Sequence, residues 1–141
     1  MSSMYDTARE GFVRGEIVWK EGGSIIKAVL VRGYTYSAAH RYMSEIIGAG
    51  GTVVSTVTLN SLTNTNGVLD AADSVFAAVP AGAPIPHCIF YQASAVTGGA
   101  DVASSQQRVI LCLDRGGLPL TPNGQNANGQ WSPGVDRIAR F

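Results

Sequence analysis

Apolar and polar positions along this chain alternate mostly with a period of two, in short runs separated by turn residues. From Val53 onward the pattern is apolar at 53, 57 and 59 and polar at 56 and 58, the spacing of a half-buried strand. Ile25 to Val31 is a denser β-branched run, which predicts a central strand buried on both faces. Gly15 to Lys20 is β-rich and runs into Gly22-Gly23, a pair suited to a tight turn. Val68 to Val79 contains a strand centred on Val75 and Phe76. Pro80, Pro84 and Pro86 then bracket a loop, because proline cannot donate to a ladder. His87–Tyr91 and Arg108–Leu113 read as strands flanking the Gly/Ser/Ala-rich connection Ala93–Gln107, and Val135–Phe141 as the last strand. About eight strands with frequent turns define an all-β sandwich or barrel.

One stretch departs from the period of two. Ser37 to Ile47 places Ala39, Tyr42/Met43 and Ile46/Ile47 at helical spacing behind a potential Ser37 cap, which predicts one short helical segment in a crossover. No repeat of 20–50 residues and no linker divides the chain. The expectation is a single domain over 1–141, with 1–14 as an N-terminal arm and 135–141 as a C-terminal strand, both available to partners.

Composition narrows the class. The 141 residues carry 14% charged residues, below the roughly 25% of ordinary soluble domains, and ten basic residues balance ten acidic ones. Neutrality argues against a nucleic-acid partner, and no apolar run is long enough for a membrane span. The opening residues lack the apolar core of a signal peptide. Zero net charge disfavours a free monomer in solution, so an assembled protein is expected. The even total also hides a segregation. Residues 42–107 contain no Lys or Arg and four acids (Glu45, Asp70, Asp73 and Asp101), a net −4 against +4 elsewhere. Such blocks can meet between subunits, or can simply reflect a β-rich centre that uses Ser, Thr and Asn as its polar residues.

Catalytic patterns are missing from the sequence. His40 and His87 have no His, Cys or carboxylate at metal-ligand spacing, and there is no Cys-x-x-Cys. Cys88 and Cys112 fall on the strands flanking the Gly98-Gly99 connection. A hairpin register centred near residue 100 would set them face to face, although two thiols without a secretion signal read more readily as reduced core residues. Asp70 and Asp73 suit a turn; Glu10 and Glu16, interleaved with Arg9 and Arg14, suit a solvated ion-pair face. No Gly-x-Ser-x-Gly elbow or Gly-Lys-Ser/Thr loop is present. The expectation is a protein without enzymatic activity, cofactor or metal.

Aromatic and basic residues instead suggest partner contacts, because Tyr and Arg join large contact area to directional hydrogen bonds. They group in three places: Tyr5, Arg9, Phe12 and Arg14; then Tyr34, Tyr36, His40, Arg41 and Tyr42; then Arg137, Arg140 and Phe141. Core packing is the competing reading for the middle group, and stacking against carbohydrate a third. For Trp19 and Phe76 core packing is preferred.

Three stretches carry a resemblance: Met4–Phe12 running into Glu16-Ile17-Val18-Trp19, Tyr34–His40 continuing to Ser44-Glu45-Ile46, and Gly117–Gly124 followed by Trp131. Together they resemble small virion structural proteins of tailed bacteriophages, and within these the jelly-roll cement, or head decoration, proteins of short-tailed phages. The resemblance implies a jelly-roll-like β-sandwich on the outer surface of an assembled capsid, bridging neighbouring major capsid protein subunits. It also implies a symmetric homo-oligomer, with a dimer favoured over a trimer on base rates. A tail, neck or receptor-binding virion module and a carbohydrate-binding sandwich are the alternatives. On this reading the ends clamp partners, and deleting Met1–Arg9 spares the fold.

Overall fold

The computed structural model describes residues 2–96, 98–114, 118–129 and 139–140. Among these, β1 (Ser2–Met4), β2 (Ile25–Arg32), β3 (Thr52–Thr58), β6 (His87–Ser94) and β7 (Arg108–Leu113) form one antiparallel sheet in the order β1-β7-β6-β2-β3. Two antiparallel ribbons accompany it: β4 (Val68–Leu69) with β9 (Ala139–Arg140), and β5 (Ser74–Phe76) with β8 (Ala127–Gly129). The fold is mostly β and compatible with a β-sandwich, as the alternation and turn spacing imply.

The β-branched run becomes β2, placed between β6 and β3. Cross-strand partners share a face of a sheet, so register assigns the two sides. Ala28, Leu30, Cys88 and Phe90 lie on one face, and Val29, Val31, His87 and Ile89 on the other. Both faces are covered, which is why β2 is apolar without alternation. Trp19 packs over the first face, with its ring centroid 6.3 Å from that of Phe90. Tyr34 packs over the second, its ring edge-on to His87. Burying each such Phe, Ile or Val side chain contributes about 1.5–3 kcal/mol.

Gly15–Lys20 forms no strand. Its backbone is satisfied by a side chain: the Val18 N–H donates to Gln92 Oε1 at 3.1 Å, and Gln92 Nε2 donates to the Glu16 carbonyl at 2.9 Å. Trp19 Nε1 donates to the Asp70 carbonyl and Asn64 Nδ2 to the Trp19 carbonyl, tying this segment to the ribbon side. A buried amide thus takes the place of a neighbouring strand.

Helical structure also differs from expectation. The expected helix over 37–47 is confined to α2 (Met43–Gly48), where Ile46 is fully buried. Ser37 closes a turn, its Oγ accepting from the Ala39 N–H, and caps no helix. A second helix, α1 (Asp6–Val13), stands where a free arm was expected. It packs beside β7 so closely that a Cβ at Gly11 would lie 2.7 Å from Arg108 Nη2 and 2.7 Å from Ile17 Cδ1. Gly15, at φ +75°, then reverses the chain. The N-terminal residues are therefore part of the fold: β1 pairs with β7, and the Tyr5 N–H donates to the Ile110 carbonyl.

Candidate functional site

The residues expected to contact partners divide by burial. Tyr5 is 0% exposed and Tyr34 4%, so both are core residues and neither offers a ring to a partner. Phe12 is half-buried against the same core. Tyr5 and Tyr34 correct the sequence reading: rings it placed in an arm and a loop are needed to cover the sheet. Arg137 and Phe141 lie outside the described residues, as does the Arg140 side chain; the Arg140 backbone pairs with Val68.

The remaining positions come together. Arg9 and Arg14 are exposed, while Tyr36, His40, Arg41 and Tyr42 are half-buried. Three bonds draw α1 and the 36–42 segment side by side, and a fourth ties that segment to the end of β1. The Asp6 N–H donates to the Ala38 carbonyl at 3.1 Å, and Thr7 Oγ1 donates to the His40 carbonyl at 2.6 Å. Arg41 Nη2 donates to Glu10 Oε2 at 3.1 Å, and Tyr36 Oη to the Met4 carbonyl at 3.4 Å. Two groups chosen separately from the sequence thus share one surface. Its cations are partly neutralised: Glu10 receives both Arg14 and Arg41, and Asp6 receives Arg9.

Arg108 organises this surface from beneath. It opens β7 at 7% exposure, makes a short ion pair with Glu16, and donates through Nη2 to the Thr7 carbonyl at 2.7 Å. Its guanidinium also lies 5.9 Å from the centre of the Tyr42 ring. The hydrogen bond from Arg108 holds the Glu16 carboxyl below the usual carboxylate value. Sequence reasoning missed Arg108. A cation opening the apolar run Val109–Leu113 was the available signal, since a buried charge needs partners.

The charge segregation also finds contacts within the chain. Lys27 Nζ lies 2.7 Å from Asp101 Oδ2, and the Glu45 carboxylate accepts from the Arg41 N–H. Two of the four central acids are thus engaged by the flanking segments.

Beneath Tyr36 lies a line of polar groups. Tyr34 Oη is 2.7 Å from His40 Nδ1 and 3.0 Å from Tyr5 Oη. The Cys112 Sγ lies 3.5 Å from His87 Nδ1. Burial pushes the Cys112 thiol up to about 12 and raises the Tyr5 and Tyr34 hydroxyls, so all three keep their protons. A neutral buried thiol is a poor nucleophile. Among the described residues no three His, Cys, Asp or Glu side chains are grouped to hold a metal ion.

Cys88 and Cys112 are both free. The register centred near 100 is correct at Tyr91↔Val109, but a bulge at Ile110 advances it by one residue. Cys88 then pairs with Leu113 and Cys112 with Ile89, which puts the two thiols on opposite faces of the sheet. No protein-family model matches this chain, and no curated protein or solved structure matches it either.

Proposed function

We propose that this chain is a structural virion protein that binds the outer surface of an assembled phage capsid and stabilises it by bridging major capsid protein subunits. The observation that carries the reading is the joining of α1 to the 36–42 segment. Two of the three stretches that resemble decoration proteins meet there, presenting Arg9, Arg14, Tyr36, His40, Arg41 and Tyr42 together. Their side chains combine guanidinium groups with half-exposed rings, the composition of a protein-binding patch. A protein that binds the assembled shell and not its free subunits adds to lattice stability by mass action. The proposed protein acts as a homo-oligomer, with two-fold pairing as the first expectation, and without catalysis.

Imaging of particles containing this protein tests the proposal. Density repeated over the icosahedral shell supports it; density confined to the tail vertex replaces it with a tail or neck role. Particles lacking the protein are expected to lose DNA at lower temperature or under osmotic shock. Replacing the exposed Arg9 and Arg14 together with Ala is expected to release the protein from shells while leaving its thermal unfolding in place. The carbohydrate reading loses the Tyr34 platform, because that ring is covered.

A further inference from the structure

We infer that Asn66 is a site of spontaneous deamidation, and that the fold directs this modification to it among the three Asn-Gly pairs of the chain, Asn66-Gly67, Asn123-Gly124 and Asn128-Gly129. The inference goes beyond the proposed role in virions and does not rest on it.

The reaction needs only water. The main-chain nitrogen of Gly67 loses its proton to hydroxide and attacks Asn66 Cγ. The N–Cγ bond forms, the Cγ–Nδ2 bond breaks, and Nδ2 leaves as ammonia with a proton taken from water, which restores the hydroxide. Water then opens the five-membered imide. Addition at Cγ gives aspartate and restores the ordinary peptide bond. Addition at the Asn66 main-chain carbonyl gives isoaspartate, whose main chain runs through Cβ and Cγ and is one carbon longer. A following glycine favours the ring because it has no Cβ to crowd the attacking nitrogen.

Exposure of the amide, freedom of its side chain and the hold on the glycine N–H then separate the three pairs. Asn128 lies in β8 opposite Val75, and Gly129 is buried opposite Ser74, so this pair is locked in a ladder. Asn123 is exposed, but its Oδ1 accepts from the Gln125 N–H at 3.1 Å, and the Gly124 N–H donates to the Val79 carbonyl at 2.9 Å. Both its electrophile and its nucleophile are engaged. Asn66 is exposed in the turn Thr65–Gly67, and its side chain makes no hydrogen bond among the described residues. The Gly67 N–H is held by the Asn64 carbonyl at 3.2 Å, the long end of the range for such bonds. Asn66 also sits at φ +56°, a region that side chains other than glycine occupy at a cost, so turning the 66–67 peptide toward Cγ leaves no favoured conformation behind.

The two products differ in consequence. Thr63 and Asp70 close this turn with reciprocal N–H to carbonyl bonds of 2.9 and 3.0 Å, and Asn64 Nδ2 and the Asp70 carbonyl hold Trp19 from the same turn. Aspartate at 66 keeps the backbone and tolerates the left-handed conformation. Isoaspartate puts an extra main-chain carbon between Thr63 and Asp70 and strains that closure.

Peptide mapping by mass spectrometry after incubation of the full chain at mildly alkaline pH, folded and in urea, tests the inference. In the folded protein the aspartate and isoaspartate products are expected at Asn66 first, severalfold ahead of Asn123 and Asn128; in urea the three pairs are expected to react alike. Asn66→Gly keeps the left-handed backbone without strain and removes the amide. It is expected to abolish the early acidic band on isoelectric focusing. Modification of the folded protein first at Asn123 or Asn128, equal rates at all three, or none while the unfolded chain reacts overturns the inference, as does an early acidic band that persists in Asn66→Gly. The isoaspartate form, separated by ion exchange, is expected to unfold at a lower urea midpoint than the aspartate form; equal midpoints overturn the consequence drawn for the turn.

Discussion

Arg108 shows what one residue does in this protein. Its side chain is buried, yet it serves a carbonyl on α1, a carboxylate in the 15–24 segment and the face of Tyr42. Replacing it with Met keeps the apolar stem and removes the donors. Loss of the charged hydrogen bond to Thr7 is expected to cost about 1.5–3 kcal/mol, read as a shift in denaturant midpoint at constant slope. Glu16 supplies the matching pH signature. Its folded-state carboxyl is held low, so the ion pair contributes fully above the ordinary carboxylate range and is lost as pH falls through the lowered value. Denaturation series at pH 6 and pH 3 are expected to show wild type losing more stability than Glu16→Gln over that interval; equal losses would remove the pair from the account. Arg108 and Gln92 were hard to find from the chain alone, because their roles depend on partners about 75 to 100 residues away. Tyr5 and Tyr34 misled for a related reason: rings in short polar surroundings look exposed until the sheet they cover is known.

The elements themselves were legible where periodicity was strong. β2, β3, β6 and β7 fall where the apolar runs and turn residues place them, and β5 contains Val75 and Phe76 as expected. α1 was not legible. Asp6–Val13 has a glycine in its interior and no side-chain cap, so helix propensity is weak and tertiary packing decides. That same glycine makes the element testable. Gly11→Ala would improve propensity in isolation, but here its Cβ meets Arg108 and Ile17. It is expected to destabilise the protein by about 1–3 kcal/mol, measured by thermal or denaturant unfolding. Deleting 1–9 is now expected to abolish cooperative unfolding, where the sequence suggested a dispensable arm. It removes β1, the buried Tyr5 ring and the Tyr5–Ile110 bond together.

Taken whole, the molecule is a sheet with two covered sides, and the bulge at Ile110 determines what each side receives. It keeps Cys112 beside His87 and Cys88 across the sheet. Burial raises both thiols, so native protein is expected to react slowly with an aromatic disulfide reagent and to release two thiols in denaturant. Oxidised and reduced samples are expected to migrate alike on gels; a faster oxidised band would contradict the register. The sequence supplied the hairpin and its centre, but a bulge depends on how neighbouring strands twist, which no local pattern records.

The pairing of β1 with β7 also sets an order in time. Ser2 and Leu113 are partners, so the first strand cannot find its place until nearly the whole sheet has been synthesised. β2–β3 and β6–β7 can form early as local pairs, whereas closing a loop of about 110 residues carries a large entropic cost before any contact repays it. A nascent chain on the ribosome therefore holds Met4, Tyr5 and Phe12 unshielded for most of its synthesis. That segment becomes safe from aggregation only once β7 is available to pair with it.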